Sequence, residues 1–185
     1  FSSFAGNLVP GDSTNIDAFV HDLVTNETER VSVASDGSPA PSISSLDAIS
    51  ADGRFVVFLS LSSNLVANDT NSEEDAFVRD RLLGTTRRVS VNTGEGQASG
   101  QSYSTAISAD GRFVVMHSRA TNMAPGDTNV RGDAFVRDRL IDTTERVSLG
   151  ATSTWRKNEG WEPHIKVPRR TDVQVPEAAS RRMIS

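Results

Sequence analysis

The 185-residue sequence contains no cysteine. It therefore has no disulfide and no thiolate zinc site, and any stapling must come from packing, an oxygen-ligand metal or assembly. Aromatics make up 6% of the chain, with one tyrosine and two tryptophans. No apolar run approaches the length that spans a membrane. Helical periodicity is absent from the first 150 residues, and with it the amphipathic stripe of a bundle. No Gly-x-Ser-x-Gly elbow, phosphate loop, His-Glu-x-x-His helix or dinucleotide fingerprint occurs. The three histidines (His21, His117, His164) sit at unrelated positions.

Positive charge is also scarce where it would matter for nucleic acid. Of 19 Lys/Arg and 24 Asp/Glu, seven and four lie in residues 151–185. The first 150 residues thus hold 12 against 20, a net −8, and the end of the chain holds +3. Phosphate repels an acidic body, so nucleic acid is not the expected partner. The basic end reads as solvated chain.

What is present is a repeat. Asp69 to Asp80 (Asp-Thr-Asn-Ser-Glu-Glu-Asp-Ala-Phe-Val-Arg-Asp) returns at Asp127 to Asp138, and a shorter copy runs from Asp12 to Asp22. The central phenylalanines are Phe19, Phe77 and Phe135, an interval of 58 both times (77−19 and 135−77). Ile49 to Val57 (Ile-Ser-Ala-Asp-Gly-Arg-Phe-Val-Val) returns at Ile107 to Val115, and Arg30-Val31-Ser32 returns at Arg88 and Arg146. A repeat of this length implies stacked supersecondary units. The chain starts on Phe1 in mid-unit, which predicts the edge of a processed or truncated chain. After Ile165 the repeat breaks off abruptly. The predicted domains are residues 1–150, three repeats with the first incomplete, and 151–185, a divergent tail with a possible swapped strand around 161–165.

Each unit predicts four short strands. Residues 45–50 form the first, and Asp52-Gly53 marks a tight hairpin because glycine accepts positive φ. Residues 54–60, apolar at consecutive positions, form a second strand buried on both faces. Residues 76–79 form the third. The next turn has Gly84, Asn26 or Asp142 at one position, the three residue types that best tolerate left-handed backbone. Residues 87–91 form the fourth. Four antiparallel strands, repeated and apolar on both faces, describe an all-β protein built of β-propeller blades, about three per chain. Closed rings need four to eight blades, so two readings stand: the chain is a fragment of a longer propeller, or, slightly favoured, a second chain completes a six-bladed ring as a homo-oligomer, a dimer, removing exposed sheet edges.

The run Ile-Ser-Ala-Asp-Gly-Arg-Phe-Val-Val-Phe followed by Asp-Ala-Phe-Val-Arg-Asp resembles the blade of TolB-like propellers, in the secreted bacterial subset with an inserted Gly-Asp-Thr-Asn loop. The resemblance covers residues 1 to about 149 and returns at 161–165. It implies an extracellular or periplasmic module that binds partners, serves an enzyme as an accessory or, in some members, catalyses.

The candidate site is the acidic loop. Asp69, Asn71 and Asp75 fall at positions 1, 3 and 7, and Asp127, Asn129 and Asp133 repeat them; Asp12 and Asp17 carry the altered first copy. Alternating oxygen side chains of this kind can wrap Ca2+, which takes six to eight oxygens. The competing reading is that they cap turns through side-chain bonds to nearby N–H groups. Asp80 lies a strand's length away and is not counted as a ligand. Arg79 and Arg137 read as cleft-lining or salt-bridged beside Asp80 and Asp138. Tyr103 and Trp161, at one repeat position, read as stacking platforms or blade-to-blade aromatics.

Two functions follow, beside the blander reading of an orphan fragment with no activity of its own. The first is a calcium-stabilised module that binds a protein or glycan without catalysis. The second is a metal-dependent hydrolase of lactone or phosphotriester type, with its site in a central tunnel lined by first-strand positions such as Asp47 and Thr105.

Overall fold

The structure is a computed structural model. It describes residues 1–12, 14–127 and 131–148, and the chain divides into Phe1–Leu149 and Gly150–Ser185. The expected strand around 161–165 lies outside the described residues.

The described residues form eleven strands in three antiparallel sheets and no helix. The first sheet is β1 (Ser2–Ser3), β2 (Asp17–Asp22) and β3 (Glu27–Arg30). The second is β4 (Ser44–Ile49), β5 (Phe55–Ser60), β6 (Asp75–Asp80) and β7 (Thr85–Arg88), in chain order. The third repeats it with β8 (Ser102–Ile107), β9 (Phe113–Ser118), β10 (Asp133–Asp138) and β11 (Thr143–Arg146). These are blades of the propeller type, four strands in meander order, the first blade lacking its first strand.

The hairpins follow the residues that favour them. Gly53 and Gly111 sit at φ 71° and 73°, and each closes its loop with an N–H to a serine carbonyl (Ser50, 2.9 Å; Ser108, 2.8 Å). Asn26, Gly84 and Asp142 take φ 58°, 65° and 54°, as one turn type requires. The fourth strand differs from expectation. It ends at Arg88: the Val89 N–H still meets the Ala76 carbonyl opposite it (2.8 Å), but the Ala76 N–H is taken by Ser90 Oγ (3.1 Å), and the chain leaves the ladder there. The chain then makes a small hairpin closed by Val91 and Gln97; Val33 and Pro39 close its counterpart one unit earlier.

Two apolar layers fill the spaces between blades. Ala18, Val31 and Ala40 meet Val56, Phe58, Leu65 and Phe77 between the first and second. Val57, Leu59, Ala76 and Val78 meet Val114, Met116 and Phe135 between the second and third. The consecutive valines of β5 thus feed both layers, and every residue of β6 is buried. Phe58 stacks on Phe77 (5.6 Å between ring centroids) and Phe1 on Phe19 (5.6 Å), a geometry that adds ~0.5–1.5 kcal/mol beyond area burial.

Blades are also hydrogen-bonded in sequence. The Ser44 N–H reaches the Ile16 carbonyl (2.8 Å), and the Ser102 N–H reaches Glu74 (2.9 Å), tying each first strand to the third strand of the previous blade. The small hairpins grip the next blade. Thr86 donates its hydroxyl to the Val33 carbonyl (2.6 Å) and its N–H to Ser35 Oγ (2.9 Å). Thr144 does the same with Val91 (2.6 Å) and Thr93 Oγ1 (3.0 Å).

Candidate functional site

The acidic loops converge on arginine. In the second copy, Asp69 and Asp75 lie 3.6 and 3.4 Å from Arg88 NH1. In the first, Asp12 and Asp17 lie 3.4 and 3.6 Å from Arg30 NH1, and in the third Asp127 and Asp133 lie 3.4 and 3.7 Å from Arg146 NH1. NH2 of each guanidinium reaches a loop carbonyl, of Gly11 (3.3 Å), Asn68 (3.4 Å) and Gly126 (3.3 Å). These arginines begin the Arg-Val-Ser triplets, and the serine two residues on shares their face. Ser32 donates to Asp17 (2.8 Å), Ser90 to Asp75 (2.6 Å) and Ser148 to Asp133. The same hydroxyls accept the N–H of Ala18, Ala76 and Ala134. Exact return of Arg-Val-Ser beside the returning acidic loop was the signal for this arrangement.

The second copy adds amide donors. Gln97 Nε2 reaches Asp69 (2.8 Å) and Asp75 (3.1 Å), and Asn71 Nδ2 reaches Asp75 (3.3 Å) and the Ala98 carbonyl (3.0 Å). Asn71 Oδ1 accepts the Glu73 N–H (3.0 Å), the turn-capping geometry. Asp75 is fully buried, and desolvation pushes its pKa above the ordinary carboxylate value despite these partners. The oxygens of Asp69 and Asp75 thus face N–H donors, which a calcium ion would have to displace; this donor set does not fit the ion. The third copy differs. Both Asp127 oxygens are buried without a hydrogen bond, although Arg146 lies nearby. Asn129 lies outside the described residues. Among the described residues no three His, Asp or Glu side chains gather in a metal-binding group.

A second charged set sits at the other edge of the blades. Arg54 grips Asp80 through two bonds (2.9 and 2.7 Å), and Arg112 grips Asp138 (3.0 and 2.6 Å). These arginines hold both carboxyls below their usual pKa. Arg79 does not pair with Asp80. It is buried and donates to the carbonyls of Ala34 (3.2 Å) and Gly84 (2.9 Å) and to Thr86 Oγ1 (3.2 Å), locking the gripping hairpin of the preceding blade. Arg137 donates to Asn92, Thr144, Asp142 and Glu95.

Asp47 lies where β4 slips register between Leu46 and Ala48, and Thr105 lies in the matching slip of β8. One oxygen of Asp47 accepts both the N–H (2.9 Å) and the hydroxyl (2.7 Å) of Thr105. This carboxylate ties one first strand to the next. Tyr103 is half-buried, tilted against His117 with ring centroids 4.7 Å apart, while Trp161 lies outside the described residues.

Among the described residues, each copy turns an apolar pair outward at the turn before the fourth strand, the first pair one residue earlier in the repeat than the other two. Leu23 and Val24 are 89% and 94% exposed, Leu82 and Leu83 73% and 66%, and Leu140 and Ile141 71% and 61%. Sequence reasoning took these residues as turn and missed them. Two aliphatic residues recurring beside a tight turn were the available signal.

The fold defines a protein class: an array of four-stranded antiparallel propeller blades. No protein-family model and no curated protein matches the chain. Among solved structures it is similar to TolB from Acinetobacter baumannii (17% identity over 71% of this chain and 26% of that one, TM-score 0.42). It is also similar to a protein assigned as TolB from Agrobacterium tumefaciens (14% identity over 75% and 39%, TM-score 0.49). The chain spans well under half the length of either.

Proposed function

We propose that the chain is a binding module without catalysis of its own, which holds a protein or glycan at the turns and loops of its blades in an extracellular or periplasmic setting. The observation that carries this reading is the division of labour among side chains. The repeated charged groups bond to one another or to the backbone, whereas the repeated apolar pairs at the turns face water. Exposed apolar groups recurring at the turns favour partner binding.

The tunnel hydrolase is disfavoured by Asp47, whose oxygen is engaged by Thr105. The test combines turnover assays on lactones and phosphotriesters with thermal shifts against peptide and glycan panels. Stabilisation by a peptide or glycan without turnover is the expected result. Turnover abolished by chelator and by Asp47→Asn overturns the reading.

Calcium belongs to the proposal at the third copy only, supported by the buried Asp127 oxygens. Added calcium is expected to raise the melting temperature by a few degrees, on the order of the shift that ~1 kcal/mol produces, and Asp127→Asn is expected to abolish that rise. No calcium-dependent shift removes the ion.

Closure of a six-bladed ring by a second copy completes the proposal. Phe1 stands at the position of Phe58, which packs against the preceding blade, and is 52% exposed where Phe58 is wholly covered. The first blade therefore offers an outer face of the kind used inside the array.

A further inference from the structure

The six exposed aliphatics are held out by the fold. In each turn the preceding aspartate fixes the backbone of the pair. Asp22 Oδ1 accepts the N–H of Val24 (2.8 Å) and Thr25 (3.1 Å); Asp80 Oδ1 accepts those of Leu82 (3.0 Å) and Leu83 (3.1 Å); Asp138 Oδ1 accepts that of Leu140 (2.9 Å). In the second and third blades the aspartate is itself clamped by Arg54 or Arg112. The pairs are thus presented on rigid mounts, so little conformational entropy is lost when they are covered.

Adjacent turns are also tied together. Arg81, beside Leu82, bonds Glu29 of the first blade (2.8 Å). Arg87 of the second blade bonds Asp142 in the turn of the third (3.3 Å). The three pairs therefore lie along one edge as a row. The Asp-Gly hairpins share that edge, because Arg81 NH1 and Arg139 NH1 donate to the carbonyls of Gly53 and Gly111.

The charge of this edge is mainly acidic where water can reach it, with Arg87 the exposed exception. Glu27, Asp52, Glu95 and Asp110 are exposed. Arg54, Arg81, Arg112 and Arg139 are partly buried against carboxylates, carbonyls or the Phe55 ring, and Arg87 is committed to Asp142 and Glu95. An apolar row inside an acidic border complements an apolar ridge bordered by Lys or Arg. It repels an anionic lipid surface.

Resting on the binding-module reading, we infer that this edge docks a basic amphipathic segment of a partner protein, whose apolar side chains cover Leu23-Val24, Leu82-Leu83 and Leu140-Ile141. The occupant uses hydrophobic contact for affinity and Lys or Arg for orientation.

The test uses the full chain and a synthetic 18-residue Leu/Lys amphipathic peptide, with a Leu/Glu peptide of equal length as control, read by fluorescence anisotropy. The Leu/Lys peptide is expected to bind saturably and to weaken with salt, and the Leu/Glu peptide is expected not to bind. The double variant Leu82→Ser/Leu83→Ser is expected to bind it roughly tenfold more weakly or worse. Leu61→Ser, an exposed leucine at the opposite edge, is expected to bind like the parent. Thermal melts confirm that both variants fold.

Equal binding of both peptides, or binding indifferent to the Leu82/Leu83 variant, overturns the inference, and so does no binding at all. Two further arms name the rival occupants. Vesicles of neutral or anionic phospholipid that bind the parent and not the variant assign the edge to lipid. Self-association of the parent, lost in the variant, assigns it to a second copy. Failure here with a glycan or peptide still bound elsewhere on the blades leaves the binding-module reading standing.

Discussion

At the scale of single residues, the arginines of the Arg-Val-Ser triplets matter most. Arg88 is nearly buried and neutralises two buried carboxylates, so Arg88→Leu leaves Asp69 and Asp75 without their counter-charge. The expected loss is ~3–5 kcal/mol in urea unfolding, the cost of breaking rather than replacing a buried ion pair. Gly111 is the second sensitive residue. It holds φ 73°, and a β-carbon there would overlap the Phe55 ring. Gly111→Ala is expected to destabilise by ~2–3 kcal/mol, strain and overpacking together. Gly37, with φ 87° and open space around it, is expected to suffer only the strain. The two glycines looked alike in sequence, each following an aspartate, because what separates them is an aromatic ring from another blade. The acidic loop was legible as a set of oxygen ligands but not as arginine's partner. Asp75 and Arg88 meet across two strands, and only the register Phe77↔Arg88 brings them together.

At the scale of elements, the hairpins closed by Val33/Pro39 and Val91/Gln97 hold one blade to the next. Thr86→Val and Thr144→Val each remove a buried hydroxyl that donates to a carbonyl of the previous blade. Each is expected to cost ~1–2 kcal/mol, and the carbonyl left unsatisfied accounts for much of it. Blade positions were legible because Asp-Gly hairpins and the 58-residue return punctuate the chain. The gripping hairpins were not predicted. Their partners lie 51 to 53 residues downstream, and no local pattern reports a contact at that range. The fourth strand ran too long in the sequence reading for a related reason. Val89 and Val91 favour strand by type, but Val89 packs in the layer between blades, and Val91 closes the small hairpin and accepts from Thr144.

At the scale of the whole molecule, acid sensitivity follows from the Arg54–Asp80 and Arg112–Asp138 pairs. Both carboxyls have pKa values lowered from 3.8, so their contribution is complete above that value and is lost as pH falls through the lower folded value. Urea unfolding between pH 2 and pH 5 should therefore show stability rising with pH, and Arg54→Gln/Arg112→Gln should flatten that rise. Asp75 works in the opposite sense, since burial raises its pKa and its charging opposes folding as pH rises. Light scattering is expected to give twice the 19.9 kDa of one chain if the ring closes with a second copy; a single-chain mass rules out that closure.

The gripping hairpin and the gripped threonine belong to the same 58-residue unit, facing opposite neighbours. Duplication of one such unit in the gene delivers a blade already fitted at both sides, with no compensating change elsewhere. Arrays of this design can lengthen by copying alone.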